Sequence, residues 1–131
     1  MNFLRLSNET TMNEMNNAAL KLVAVYDSNG DQKLLEIALY CLNKMYELEV
    51  EREYVLINIF QIKKRLGILD EKDIEILNSW NNQNLDVMFA QSVLLDDKDS
   101  AKKHWDKMRK ELKKHLKKYP IFNLYNKLSM Q

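Results

Sequence analysis

Arg109 and His115 stand six residues apart in Arg109-Lys110-Glu111-Leu112-Lys113-Lys114-His115. An arginine can stabilise charge building on a phosphorane, and a histidine can move a proton. Six steps of about 100° leave the two side chains about 120° apart on an ideal helix, so they converge only through a kink or a dimer partner. His104 and His115 share a helical face but sit about 16 Å apart along the axis, too far to hold one metal ion. His115 also falls in the stripe of Ala101, Trp105, Met108, Leu112 and Leu116, which predicts a partly buried, hydrogen-bonded histidine. Cys41 is the one cysteine. It cannot form an intramolecular disulfide, nothing near it in sequence lowers its pKa, and it reads as a small buried hydrophobe. The sequence holds no Gly-rich phosphate loop, no evident Ser/His/Asp arrangement and no clustered Cys/His set, so no cofactor or metal is expected.

Residues 102–118 hold nine Lys or Arg against Asp106 and Glu111, a net +7, and residues 1–101 hold ten against seventeen acids, a net −7; the whole chain is +1. Lys103, Lys107, Lys110 and Lys114 mark this basic face. It can attract phosphates, pair with the acidic body or simply be solvated. A second candidate surface is uncharged for the most part. Asn58 and Gln61 interrupt an apolar stretch, and Asn17 and Lys21 lie on the less apolar side of an earlier helix. In stacked helical hairpins, such residues on the first helices line a concave face and can hold a peptide backbone.

The elements that must position these residues are helical. Two glycines and one proline, with 46% hydrophobic and 30% charged residues, leave few breakpoints for turns. The predicted helices run over about 9–27 (capped by Ser7 or Asn8), 32–48, 51–66, 70–80, 85–95 and 98–119, with one packing turn after Pro120. Gly67 is placed for a left-handed cap, Asp70 for an N-cap, and the Lys63-Lys64-Arg65 turn suits the negative end of a helix dipole. The second helix, apolar on nearly every side through Leu34-Leu35-Glu36-Ile37-Ala38-Leu39-Tyr40-Cys41-Leu42, is expected to be central. No apolar run approaches the roughly 20 residues of a membrane helix, and the start lacks the layout of a signal peptide, so a cytoplasmic address is expected with no membrane partner.

Ala38-Leu39-Tyr40-Cys41-Leu42-Asn43-Lys44-Met45 and Ala101-Lys102-Lys103-His104-Trp105-Asp106-Lys107-Met108 share one scheme of small residue, large apolar residue, Asn or Asp, Lys and Met. The pair resembles the second helix of a tetratricopeptide repeat, in which the small residue lets two helices approach closely. That resemblance implies one domain over 1–131 of six or seven antiparallel helices, as stacked hairpins at about 9–48, 50–81 and 84–119 with a cap at 120–131. Ile74 stands where the middle hairpin should carry a small residue, and the family's first-helix signature and closing proline are absent. A closed helix bundle gives the same spacing and stays open beside it. The Arg109 to His115 segment is similar to the loose Arg, four to six residues, His pattern of the HEPN ribonucleases, which implies RNA cleavage by those two residues. The leading expectation is a non-enzymatic helical-repeat module that binds a protein or peptide, of bacterial or phage origin. A HEPN-like ribonuclease and a nucleic-acid binder acting through 102–118 are the alternatives, and a homodimer stays open.

Overall fold

The computed structural model describes residues 2–47 and 52–131, with side chains over 14–47 and 53–131. The described residues form eight α-helices and no strand: α1 (Asn2–Asn29), α2 (Gln32–Glu47), α3 (Arg52–Leu66), α4 (Glu71–Ser79), α5 (Leu85–Leu94), α6 (Lys98–Asp106), α7 (Lys110–Leu116) and α8 (Pro120–Ser129). The all-α class read from the sparse Gly and Pro content is therefore the class of the fold. The chain divides into two compact units, residues 1–62 and 63–131.

In the first unit α1 packs along α2. Gly30 turns the chain between them at φ 73°, its N–H returning to the Tyr26 carbonyl at 2.7 Å, the single-bond left-handed cap that only glycine takes without steric cost. The helix starts at Asn2, earlier than predicted, since nothing in Phe3 to Glu9 breaks it; the Ser7 and Asn8 side chains lie outside those described. Leu35, Ala38, Leu42 and Met45 recur at i, i+3, i+7 and i+10 on α2 and are buried. The opposite face is not covered: Ile37 is 52% and Tyr40 65% exposed. The expectation that α2 is flanked on both sides is thus corrected. Its apolar residues outnumber the positions its packed face can take.

The helix that is closed on nearly all sides is α5 in the second unit, with Val87, Phe89, Ala90, Ser92, Val93 and Leu94 buried. It packs on α6 and α8. Gly67 ends α3 at φ 72°, with Ile68 N–H on Lys63 O at 2.9 Å and Gly67 N–H on Lys64 O at 3.2 Å, the paired bonds of a Schellman cap. Asp70 then starts α4 through a reciprocal capping box with Asp73. α5 ends in the same Schellman pattern, Asp97 N–H on Ser92 O and Asp96 N–H on Val93 O, but Asp96 rather than glycine holds the left-handed position at φ 58°.

The predicted helix over 98–119 is two helices. The last turn of α6 tightens through Lys107 N–H on His104 O and Met108 N–H on Trp105 O, and Arg109 is extended at φ −68°, ψ 156°. Like charges at Lys103, Lys107 and Lys110 would stack at i, i+4 and i+7 on an unbroken helix, which works against continuation. No glycine or proline signals the break. It resets the helical phase, so His115 is exposed rather than partly buried, and His104 is the half-buried one. Pro120 opens α8 at its first turn, where its missing N–H costs nothing.

Candidate functional site

The four residues read as a peptide-holding surface divide. Asn17 and Lys21 are exposed on α1. Asn58 and Gln61 are 8% and 2% exposed, so they line no open surface. Instead Gln61 Nε2 donates to Asn58 Oδ1 at 3.0 Å and Asn58 Nδ2 donates to Asn16 Oδ1 at 2.9 Å, a side-chain run that ties α3 to α1 inside the first unit. Polar residues among Ile57, Ile59, Phe60 and Ile62 can be buried only because they are bonded in this way. Sequence periodicity marks them as odd and cannot say whether water or another amide answers them.

What α1 and α2 present outward is an apolar and aromatic pair framed by charge. Tyr40 and Ile37 lie three residues apart, with Lys33, Glu36, Lys44 and Glu47 exposed around them. The Lys44 ammonium lies 5.6 Å from the centre of the Tyr40 ring. On α1 Val25 is exposed on the face that carries Lys21 and Asn17.

In the second unit the last turn of α3 does more than match a dipole. Lys63 Nζ lies 3.2 Å from both Asp73 carboxylate oxygens. Lys64 Nζ reaches the Leu94 carbonyl at 3.1 Å and Asp96 at 2.8 Å, and Arg65 Nη2 donates to the Pro120 carbonyl at 3.0 Å. Three consecutive cations fasten α4, the end of α5 and the start of α8. Beyond them Phe89, Trp105, Phe122 and Tyr125 form an aromatic cluster, with Trp105 centred 5.4 Å from Phe89, 5.2 Å from Phe122 and 5.6 Å from Tyr125. Trp105 therefore packs, and Lys113 lies 5.9 Å from its ring centre.

Lys103, Lys107, Lys110 and Lys114 are all exposed, as are Arg109, Lys117 and Lys118. Lys102 differs: Asp106 binds it at 2.7 Å, and that hydrogen bond and charge raise its pKa above the ordinary 10.5. Arg109 and His115 occupy opposite ends of α7, about 9 Å apart along its axis. His115 packs edge-on against Tyr119, centres 4.9 Å apart, and no interaction among the described residues joins it to Arg109. Within this chain the pair forms no phosphoryl-transfer site. His104 Nδ1 is buried with no hydrogen-bond partner among the described residues. Burial lowers its pKa below the ordinary 6.5; Lys107 and Lys103 lower it further, while Asp97 opposes them.

Among the described residues no cluster of His, Cys, Asp or Glu could hold a metal ion, and no helix is long and apolar enough to cross a membrane. No protein-family model, curated protein or solved structure matches this chain.

Proposed function

We propose that the chain is a non-enzymatic helical module of the bacterial or phage cytoplasm that binds a protein or peptide through the outward faces of α1 and α2. The observation that carries the reading is the exposure of Ile37 and Tyr40, at 52% and 65%, directly opposite the packed face of α2. A tyrosine and an isoleucine ringed by Lys33, Glu36, Lys44 and Glu47 have the anatomy of a small interface, an apolar anchor inside a charged rim. Asn17, Lys21 and Val25 on α1 extend it, which a contact of about 800 Å² per partner requires. Ala38 and Ala101, the small residues of the two matched segments, are both fully buried, which supports close helix approach of the tetratricopeptide kind at both places.

A photo-crosslinking amino acid in place of Tyr40 tests the surface. It should capture one protein in stoichiometric yield from a host lysate, Ile37→Glu should abolish the capture, and the same probe at Lys114 should capture none of that protein. Co-elution of a protein with the intact chain but no adduct at position 40 would move the contact elsewhere. Absence of any co-eluting protein would defeat the binding reading.

A further inference from the structure

We propose that α6 and α7 carry a second, independent site: a contact surface for the phosphodiester backbone of duplex nucleic acid. Lys103, Lys107, Arg109, Lys110, Lys114, Lys117 and Lys118 are exposed, and none has an anionic partner among the described residues. Lys110, Lys114 and Lys117 recur at i, i+4 and i+7, opposite half-buried Leu112 and buried Leu116. Their separations along the axis, about 6 Å and about 4.5 Å, lie inside a Debye length of about 10 Å, so their charges repel and act jointly on any anion. Arg109 and Lys110 add to that cost, since they sit at the positive end of the α7 dipole with no side-chain cap. Stability alone does not account for such a placement. A polyanion laid along the face offsets all of these repulsions together.

The same face argues against other anionic partners. Its apolar side chains point inward, with Ala101, Met108 and Leu116 buried, so nothing is left to enter a bilayer. None of the exposed large hydrophobic residues lies between 98 and 118, so it lacks the apolar centre of a protein interface. Trp105 is engaged with Phe89, Phe122 and Tyr125 and offers no platform for unstacked bases. What remains is recognition of backbone charge without base readout.

The test is fluorescence anisotropy of the full chain with a labelled duplex of about 20 base pairs, repeated with a single strand of equal length, with polyglutamate and with anionic vesicles. Between about 50 and about 200 mM salt, a seven-cation footprint weakens binding by about 10³- to 10⁴-fold. Lys110→Gln/Lys114→Gln/Lys117→Gln should lower the slope of log affinity against log salt by about 2.7, and arginine at the same three positions should restore it. Lys33→Gln/Lys44→Gln on α2 should leave duplex affinity unchanged while probing the protein-binding face separately. The proposal is overturned by no duplex binding at about 50 mM salt, by an unchanged slope in the triple variant, by tighter binding to the single strand, or by equal binding to polyglutamate or vesicles.

Discussion

Replacing Lys64 with methionine keeps the aliphatic stem of the side chain and removes the ammonium that closes the end of α5. Two interactions go with it: the bond to the Leu94 carbonyl at 3.1 Å and the ion pair with Asp96 at 2.8 Å. They are not equal. The Lys64 side chain is only 21% exposed, and a charged donor on a part-buried carbonyl contributes about 1.5 kcal/mol or somewhat more. The Asp96 side chain is 65% exposed, so solvent screening leaves its pair at a few tenths of a kcal/mol, roughly 0.2 to 0.5. The expected loss is about 2 kcal/mol. Both tryptophans, Trp80 and Trp105, belong to the second unit, so tryptophan fluorescence reports melting where the change is made. At about 2.1 cal/mol/K per residue, the loss lowers Tm by roughly 7 °C if all 131 residues melt together, and by roughly 14 °C if residues 63–131 melt alone. Asp96→Asn keeps a residue suited to the left-handed position and removes only the charge, so it should cost under about 0.5 kcal/mol. An Asp96→Asn loss as large as that of Lys64→Met would refute the ranking of carbonyl over carboxylate, and an unchanged Tm in Lys64→Met would refute the clamp itself.

Stability should fall as pH drops from about 6.5 towards the depressed pKa of His104, because the unfolded chain takes up a proton that the folded imidazole refuses; His104→Gln should flatten the thermal-melt profile in that window alone. Asp70 and Asp97 are held below the ordinary carboxylate value of 3.8, chiefly by the N–H of Asp73 and by Ser100 respectively, so their share of stability is present above that value and lost below it in an acid titration followed by circular dichroism. Gly67→Ala should cost about 1 kcal/mol in chemical denaturation, from backbone conformation only, since an added Cβ meets nothing within 4 Å; a loss several times larger would point to a hidden clash. Incubation of the protein with labelled RNA should give no cleavage that depends on His115, and a His115→Ala variant that abolished a reproducible nuclease activity would restore the Arg109/His115 pairing through a second copy of the chain.

The legible parts of the fold were those set within one turn of chain. Gly67, Asp70 and Pro120 act where they stand, because capping needs only a few neighbouring backbone groups. The break at Lys107 to Arg109 was not legible, since it carries no breaker residue, and missing it misplaced both histidines by shifting the phase of everything after it. Asn58 and Gln61 were noticed for the right reason, polarity in an apolar helix, and given the wrong surroundings: periodicity cannot show that Asn16, forty-two residues earlier, completes the bond. The exposure of Ile37 and Tyr40 was hidden in the same way. An apolar residue on a helix looks alike in sequence whether a neighbour covers it or a partner is meant to.

The last turn of α3 also bears on how the second unit assembles. Its three cations reach partners ten, thirty and fifty-five residues further along the chain. Closing a longer loop costs more entropy, though only by about 0.6 kcal/mol per doubling of length. Once Lys63 has caught Asp73, the segment still free between Lys64 and Leu94 is shorter, and once that is caught, so is the remainder before Pro120. One helical turn can in this way gather α4, α5 and α8 in chain order, each closure made cheaper by the one before, and its early formation would set the pace at which the unit becomes compact.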